Sequence, residues 1–133
     1  MHNRLPSRTY PQPEPGLVYQ AILVMDSRNV RTSLRRQAQL RSNWSQLYHA
    51  GPYHVDLSLK WEECGPRLVG QVISRERISF EQARVYLKQD AVQIQIPLDL
   101  SGRFSLQLGP ADHCDLEIHI QGEVVCLDGL RLS

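Results

Sequence analysis

The stretch W-S-Q-L-Y-H-A-G-P-Y-H-V-D-L-S-L-K-W, Trp44 to Trp61, alternates apolar and polar residues on both sides of a Gly-Pro pair. In its second half Tyr53, Val55, Leu57, Leu59 and Trp61 fall on one side of an extended chain, and His54, Asp56, Ser58 and Lys60 on the other. A period of two is the signature of a half-buried antiparallel strand, with one face dry and the other wet. Residues 45–50 read as a shorter strand of the same kind. Gly51-Pro52 separates the two as a tight turn, because proline has no N–H to give to a central ladder. Tyr48, Tyr53 and Trp61 therefore read as core, and His54 as an outward, solvated ring.

The same rhythm continues downstream. R-L-V-G-Q-V-I-S-R (67–75) holds a glycine inside a strand pattern. A-R-V-Y-L-K (83–88) alternates around Ala83, Val85 and Leu87, and A-V-Q-I-Q-I (91–96) places Val92, Ile94 and Ile96 inward. Asp99-Leu-Ser-Gly102 is a turn signal ahead of a strand with Phe104, Leu106 and Leu108 inward. Gly109-Pro110 turns into C-D-L-E-I-H-I (114–120), and E-V-V-C-L and G-L-R-L close the chain. Short strands at this spacing predict an all-β antiparallel sandwich or barrel.

The N-terminal part is different in kind. Residues 1–16 carry four of the chain's prolines and read as a flexible, extended arm, leaving 17–133 as a single β-sandwich domain. L-V-Y-Q-A-I-L-V-M (17–25) is a continuous apolar run of strand length, expected to be buried on both faces or covered by the segment after it. That segment, 26–43, holds Arg28, Arg31, Arg35, Arg36 and Arg41 against the single acid Asp26. Val30, Leu34 and Ala38 recur at helical spacing, with Asp26 or Ser27 as a cap; a loop fits the segment equally well.

A chain of 133 residues is long enough to bury a core without metals or disulfides, and its net charge of +1 gives no global attraction to nucleic acid or membrane. Cys64, Cys114 and Cys126 form an odd, widely spaced set, expected to be thiols rather than a disulfide framework. No basic segment followed by an apolar one opens the chain, and no apolar run approaches the roughly 20 residues that span a bilayer. Cytoplasmic location is the expectation.

The motifs of catalysis are missing: there is no G-x-S-x-G, phosphate loop, dinucleotide fingerprint or calcium loop. His113, Cys114, His119 and Cys126 lack the spacing of a structural zinc site. No catalytic residue, metal or other cofactor is therefore assigned.

A resemblance adds to this reading. L-V-G-Q-V (68–72), A-R-V-Y-L (83–87), D-L-S-G-R-F (99–104), the Gly109-Pro110 turn and L-E-I-H-I resemble carboxypeptidase regulatory-like domains, which are Ig-like or transthyretin-like β-sandwiches. Q-L-Y-H-A-G-P-Y-H-V-D-L-S-L (46–59) is similar to a segment of small bacterial proteins that carry such a sandwich and occur beside sigma-factor or caspase-like signalling genes. The resemblance implies a non-enzymatic accessory role with a protein partner, such as a component of one of those systems. Recognition would run through a sheet edge or through the arginine segment, with Arg31, Arg35 and Arg36 as the contact residues. Nucleic acid is disfavoured, since only Trp44 supplies an aromatic ring beside the charge. The alternative function is a carbohydrate-binding or small-ligand-binding sandwich, which would need Trp44 and the tyrosines exposed as a flat platform.

Overall fold

In the computed structural model, residues 17–29 and 43–132 are described. They build ten strands and one short 3-10 turn: β1 (Val18–Gln20), β2 (Ile22–Asp26), the turn Ser27–Asn29, β3 (Trp44–Ala50), β4 (Tyr53–Glu62), β5 (Gly65–Ser74), β6 (Arg84–Gln89), β7 (Val92–Pro97), β8 (Arg103–Gln107), β9 (His113–Ile120) and β10 (Glu123–Arg131). The strands form two five-stranded sheets, ordered β1-β10-β9-β6-β7 and β2-β3-β4-β5-β8. The fold is an all-β sandwich. Among the described residues no helix is long and apolar enough to cross a membrane.

The core lies between the sheets and is made by the alternation itself. Val55, Leu57 and Leu59 of β4 meet Val85 and Leu87 of β6, Leu116 and Ile118 of β9 and Val125 of β10 in one buried cluster. Tyr48, Tyr53 and Trp44 belong to it, while Trp61 is half-buried at its margin. Gly51 has φ of +61° and Pro52 has none of that sign, so a two-residue type II′ turn joins β3 to β4.

Gly70 and Phe104 explain each other. They are paired across β5 and β8, and the Phe104 ring lies where a side chain at position 70 would stand: a Cβ there would be 2.2 Å from its Cζ. The turn ahead of β8 is tied by Asp99, whose Oδ1 accepts the N–H groups of Ser101 and Arg103, each at 2.9 Å. Gly102 closes it with φ of +84°, its carbonyl accepting the Val72 N–H at 2.8 Å.

Several expectations need correction. The run 17–25 is not one buried strand. It is two edge strands in different sheets, changing sheet at Ala21, whose N–H still donates to the Cys126 carbonyl at 2.9 Å. β1 pairs parallel with β10, the exception in an otherwise antiparallel structure. Val92 is exposed on the edge strand β7 instead of inward, while Ile94 and Ile96 are half-buried. The two closing segments are one strand, β10, bent by a bulge between Leu127 and Leu130. There Gly129 has φ of +68° and its N–H donates to Asp115 Oδ1 at 2.7 Å. Asp26 ends β2, and its Oδ1 accepts the Arg28 N–H at 2.9 Å over the 3-10 turn.

Candidate functional site

The two sheets have four edges: β1 and β7 in one, β2 and β8 in the other. Edge strands present unpaired backbone groups, and proteins blunt them with proline, charge or brevity. β1 has three residues. β7 carries Gln93, Gln95 and a terminal Pro97. β8 is overlaid by Arg67, which reaches Ser105 Oγ, Gln107 Oε1 and Glu62 Oε1 at 2.9–3.1 Å.

Before Asp26, β2 carries no proline and no charge. Ile22, Leu23, Val24 and Met25 are 64%, 43%, 52% and 62% exposed. Its one irregularity is a register shift between Leu23 and Met25 opposite β3. Ile22 pairs with His49 and Met25 with Leu47, so both project from the outer face of the sheet. Leu17 and Val18, at the start of β1 in the other sheet, are also exposed.

Where β2 leaves the sheet it is anchored by a polar chain. Gln46, buried on β3, donates from Nε2 to Asp26 Oδ2 at 2.9 Å, and Tyr48 donates its hydroxyl to Gln46 Oε1 at 2.8 Å. The Arg28 guanidinium donates to both Asp26 oxygens and to the Arg131 carbonyl, each at 3.3 Å. It also stacks 4.6 Å from the centre of the Trp44 ring. Partial burial pushes the Asp26 carboxyl up, but the Arg28 backbone and side chain and Gln46 outweigh it and hold it below its ordinary value. Arg28 thus has a structural position, fixing the exit of the arginine-rich segment. Arg31, Arg35 and Arg36, the expected contact residues, lie outside the described residues, as does the question of helix or loop over 30–42.

Trp44, Tyr48 and Tyr53 do not form an exposed platform; they are 4%, 9% and 2% exposed. Tyr53 donates to Glu123 Oε1 at 2.6 Å, and the Tyr19 ring meets it edge-on at 6.1 Å. Among the described residues the exposed tyrosine is instead Tyr86, on the outer face of the other sheet, 4.4 Å from His119, whose Nε2 lies 3.0 Å from Glu117 Oε1.

Cys114 and Cys126 lie on neighbouring strands, but their register sets Cys114 opposite Leu130 and Cys126 opposite Glu117. Cys114 faces the core, where burial pushes its thiol up to about 12, and all three cysteines are free thiols. Among the described residues no three His, Cys, Asp or Glu side chains gather into a metal-binding cluster.

The histidines at the opening hairpin do meet. His49 and His54 are directly opposed on β3 and β4, with ring centres 5.0 Å apart. The pairing is legible in the hairpin itself: counting outward from a two-residue turn at 51–52 pairs 50 with 53 and 49 with 54.

No protein-family model matches the chain, and no curated protein or solved structure matches it.

Proposed function

We propose that this protein is a non-enzymatic protein–protein interaction module that captures a partner along the β2 margin. The observation that carries the reading is an apolar edge strand, exposed at Ile22, Leu23, Val24 and Met25, in a sandwich whose other long edges are polar or closed by proline. Strand addition uses such an edge twice: its backbone groups give affinity, and alternate side chains give selectivity. The arginine segment begins directly after β2 and supplies Arg31, Arg35 and Arg36 for acidic side chains of the partner. The partner belongs to a bacterial signalling or regulatory system of the sigma-factor or caspase-like kind, with the chain as its accessory component in the cytoplasm. Kinship with the carboxypeptidase regulatory-like domains is part of this proposal and rests on the resemblance of residues 68–72, 83–87 and 99–104.

Capture from native lysate by the tagged chain tests this, beside an Ile22→Lys/Met25→Lys variant and an Arg31→Glu/Arg35→Glu/Arg36→Glu variant. The expected result is one protein retained by the wild type and lost with both variants while their circular dichroism stays native. Undiminished capture by both variants overturns the reading.

A second reading rests on Tyr86. An exposed ring flanked by His119, Glu117 and the neighbouring Gln95 is a surface on which a sugar can stack and hydrogen-bond. Binding on a glycan array that disappears with Tyr86→Ala would favour it.

A further inference from the structure

The hairpin β3–β4 juxtaposes two imidazoles on the outer face of its sheet. Ala50 and Tyr53 close the two-residue turn, and the next pair outward is His49 and His54. In such a hairpin the turn-closing pair is hydrogen-bonded, so the following pair is of the other kind, where opposed side chains approach most closely. Both rings are half-exposed, tilted 42° to each other, with centres 5.0 Å apart. Their strand neighbours in the same row are Ile22 and Ile73, which offer no charge and no competing hydrogen bond.

That spacing has a chemical meaning. A metal-bound imidazole holds the ion about 2.0–2.1 Å from its nitrogen, hence roughly 3.2 Å from the ring centre. Two such rings at one ion have centres roughly 4.5 Å apart for a right angle at the metal and roughly 5.2 Å for a tetrahedral one. The observed separation lies between these values.

The geometry points to His49 and His54 as a two-imidazole chelate for a borderline divalent transition metal, Zn2+, Ni2+ or Cu2+. Imidazole nitrogen suits these ions, whereas Mg2+ and Ca2+ require oxygen. Among the described residues no third His, Cys, Asp or Glu joins the pair in a cluster. The ion therefore keeps open positions for water or for a donor from outside the chain, unlike the closed four-ligand shell of a structural zinc. The β-hairpin, rigid because Tyr48, Tyr53 and Val55 beneath it are core, prearranges both ligands before the ion arrives.

The test uses the full chain without a histidine tag. Zn2+ is titrated while the imidazole resonances are followed by NMR, with Mg2+ as control and calorimetry for stoichiometry. The expected result is one equivalent of Zn2+ that shifts the His49 and His54 rings together, with Mg2+ silent. His49→Gln and His54→Gln should each weaken binding at least tenfold, and His119→Gln should leave it unchanged. The titration of the unsubstituted chain reads the site without depending on any variant's folding. Zn2+ shifts confined to other histidines, no stoichiometric binding up to millimolar ion, or undiminished affinity in both Gln variants would overturn the assignment.

Discussion

Substituting Gly70 by alanine should destabilise the protein although it adds a single methyl group to a strand. A Cβ at position 70 would lie 2.2, 2.5 and 2.9 Å from three atoms of the Phe104 ring, where carbon atoms ordinarily keep about 3.5–4.0 Å. The ring must withdraw by more than about 1 Å, and it stands in the core at 4% exposure, with no empty side to move to. Overpacking of this kind costs about 1–3 kcal/mol. Replacing a strand glycine, at a φ open to any residue, returns about 0.5–1 kcal/mol. For so deep an overlap the upper part of that range, about 2–3 kcal/mol, applies, and a net loss of about 1–2.5 kcal/mol follows, or about 4–9 °C in Tm for a chain of this size. Urea unfolding followed by the fluorescence of the buried Trp44 measures it. The cause is isolated by a second background. Phe104→Leu alone should cost about 1–2 kcal/mol, and adding Gly70→Ala to it should cost almost nothing further, since the obstructing ring is gone. A Gly70→Ala protein within about 0.5 kcal/mol of wild type, or an equal cost in both backgrounds, would refute the reasoning.

Two other outcomes follow from buried titratable groups. Tyr53→Phe should lose about 1.5–3 kcal/mol near neutrality, because the buried hydroxyl donates to the Glu123 carboxylate at 2.6 Å; chemical denaturation reads the difference. Burial, and then the bond to Glu123, raise this phenol above its ordinary 10.0, so its stabilisation is complete below pH 10 and is lost as pH rises beyond it. The substituted protein should show a shallower alkaline loss, with a residue left from the raised Tyr19, Tyr48 and Cys114. Titration with a thiol reagent should find the exposed Cys64 fast, the half-buried Cys126 slow, and Cys114 unreactive until denaturant is added; rapid labelling of Cys114 in the native state would contradict its position in the core.

The candidate sites were only partly legible in sequence. The apolar character of Ile22–Met25 is plain, yet a continuous apolar run reads the same whether it is a central strand or an exposed margin, and burial was the natural expectation. Which it is depends on whether another strand lies beyond it, and that is a long-range fact. The His49–His54 pair was within reach, because a two-residue turn at Gly51-Pro52 fixes its partners by counting. The Asp26–Gln46–Tyr48 chain was not, since it joins residues from different strands through side-chain reach.

The face that each residue of β3 to β6, β8 and β9 presents is written in the alternation, which is local, and a slip of one residue would expose every apolar side chain at once. Turn chemistry is equally local: Gly51-Pro52 and Asp99–Gly102 act through their own backbone angles and short side chains. Which strands are neighbours is settled by long-range packing. It put residues 17–25 on the margins of two different sheets, paired β1 parallel with the distant β10, drew Asp128-Gly129 into a bulge, and turned Cys114 and Cys126 to opposite faces. Those choices rest on complementarity between segments as far apart as Val18 and Val124. No local pattern carries that information, because the closing of such long loops is repaid only when both surfaces are present together.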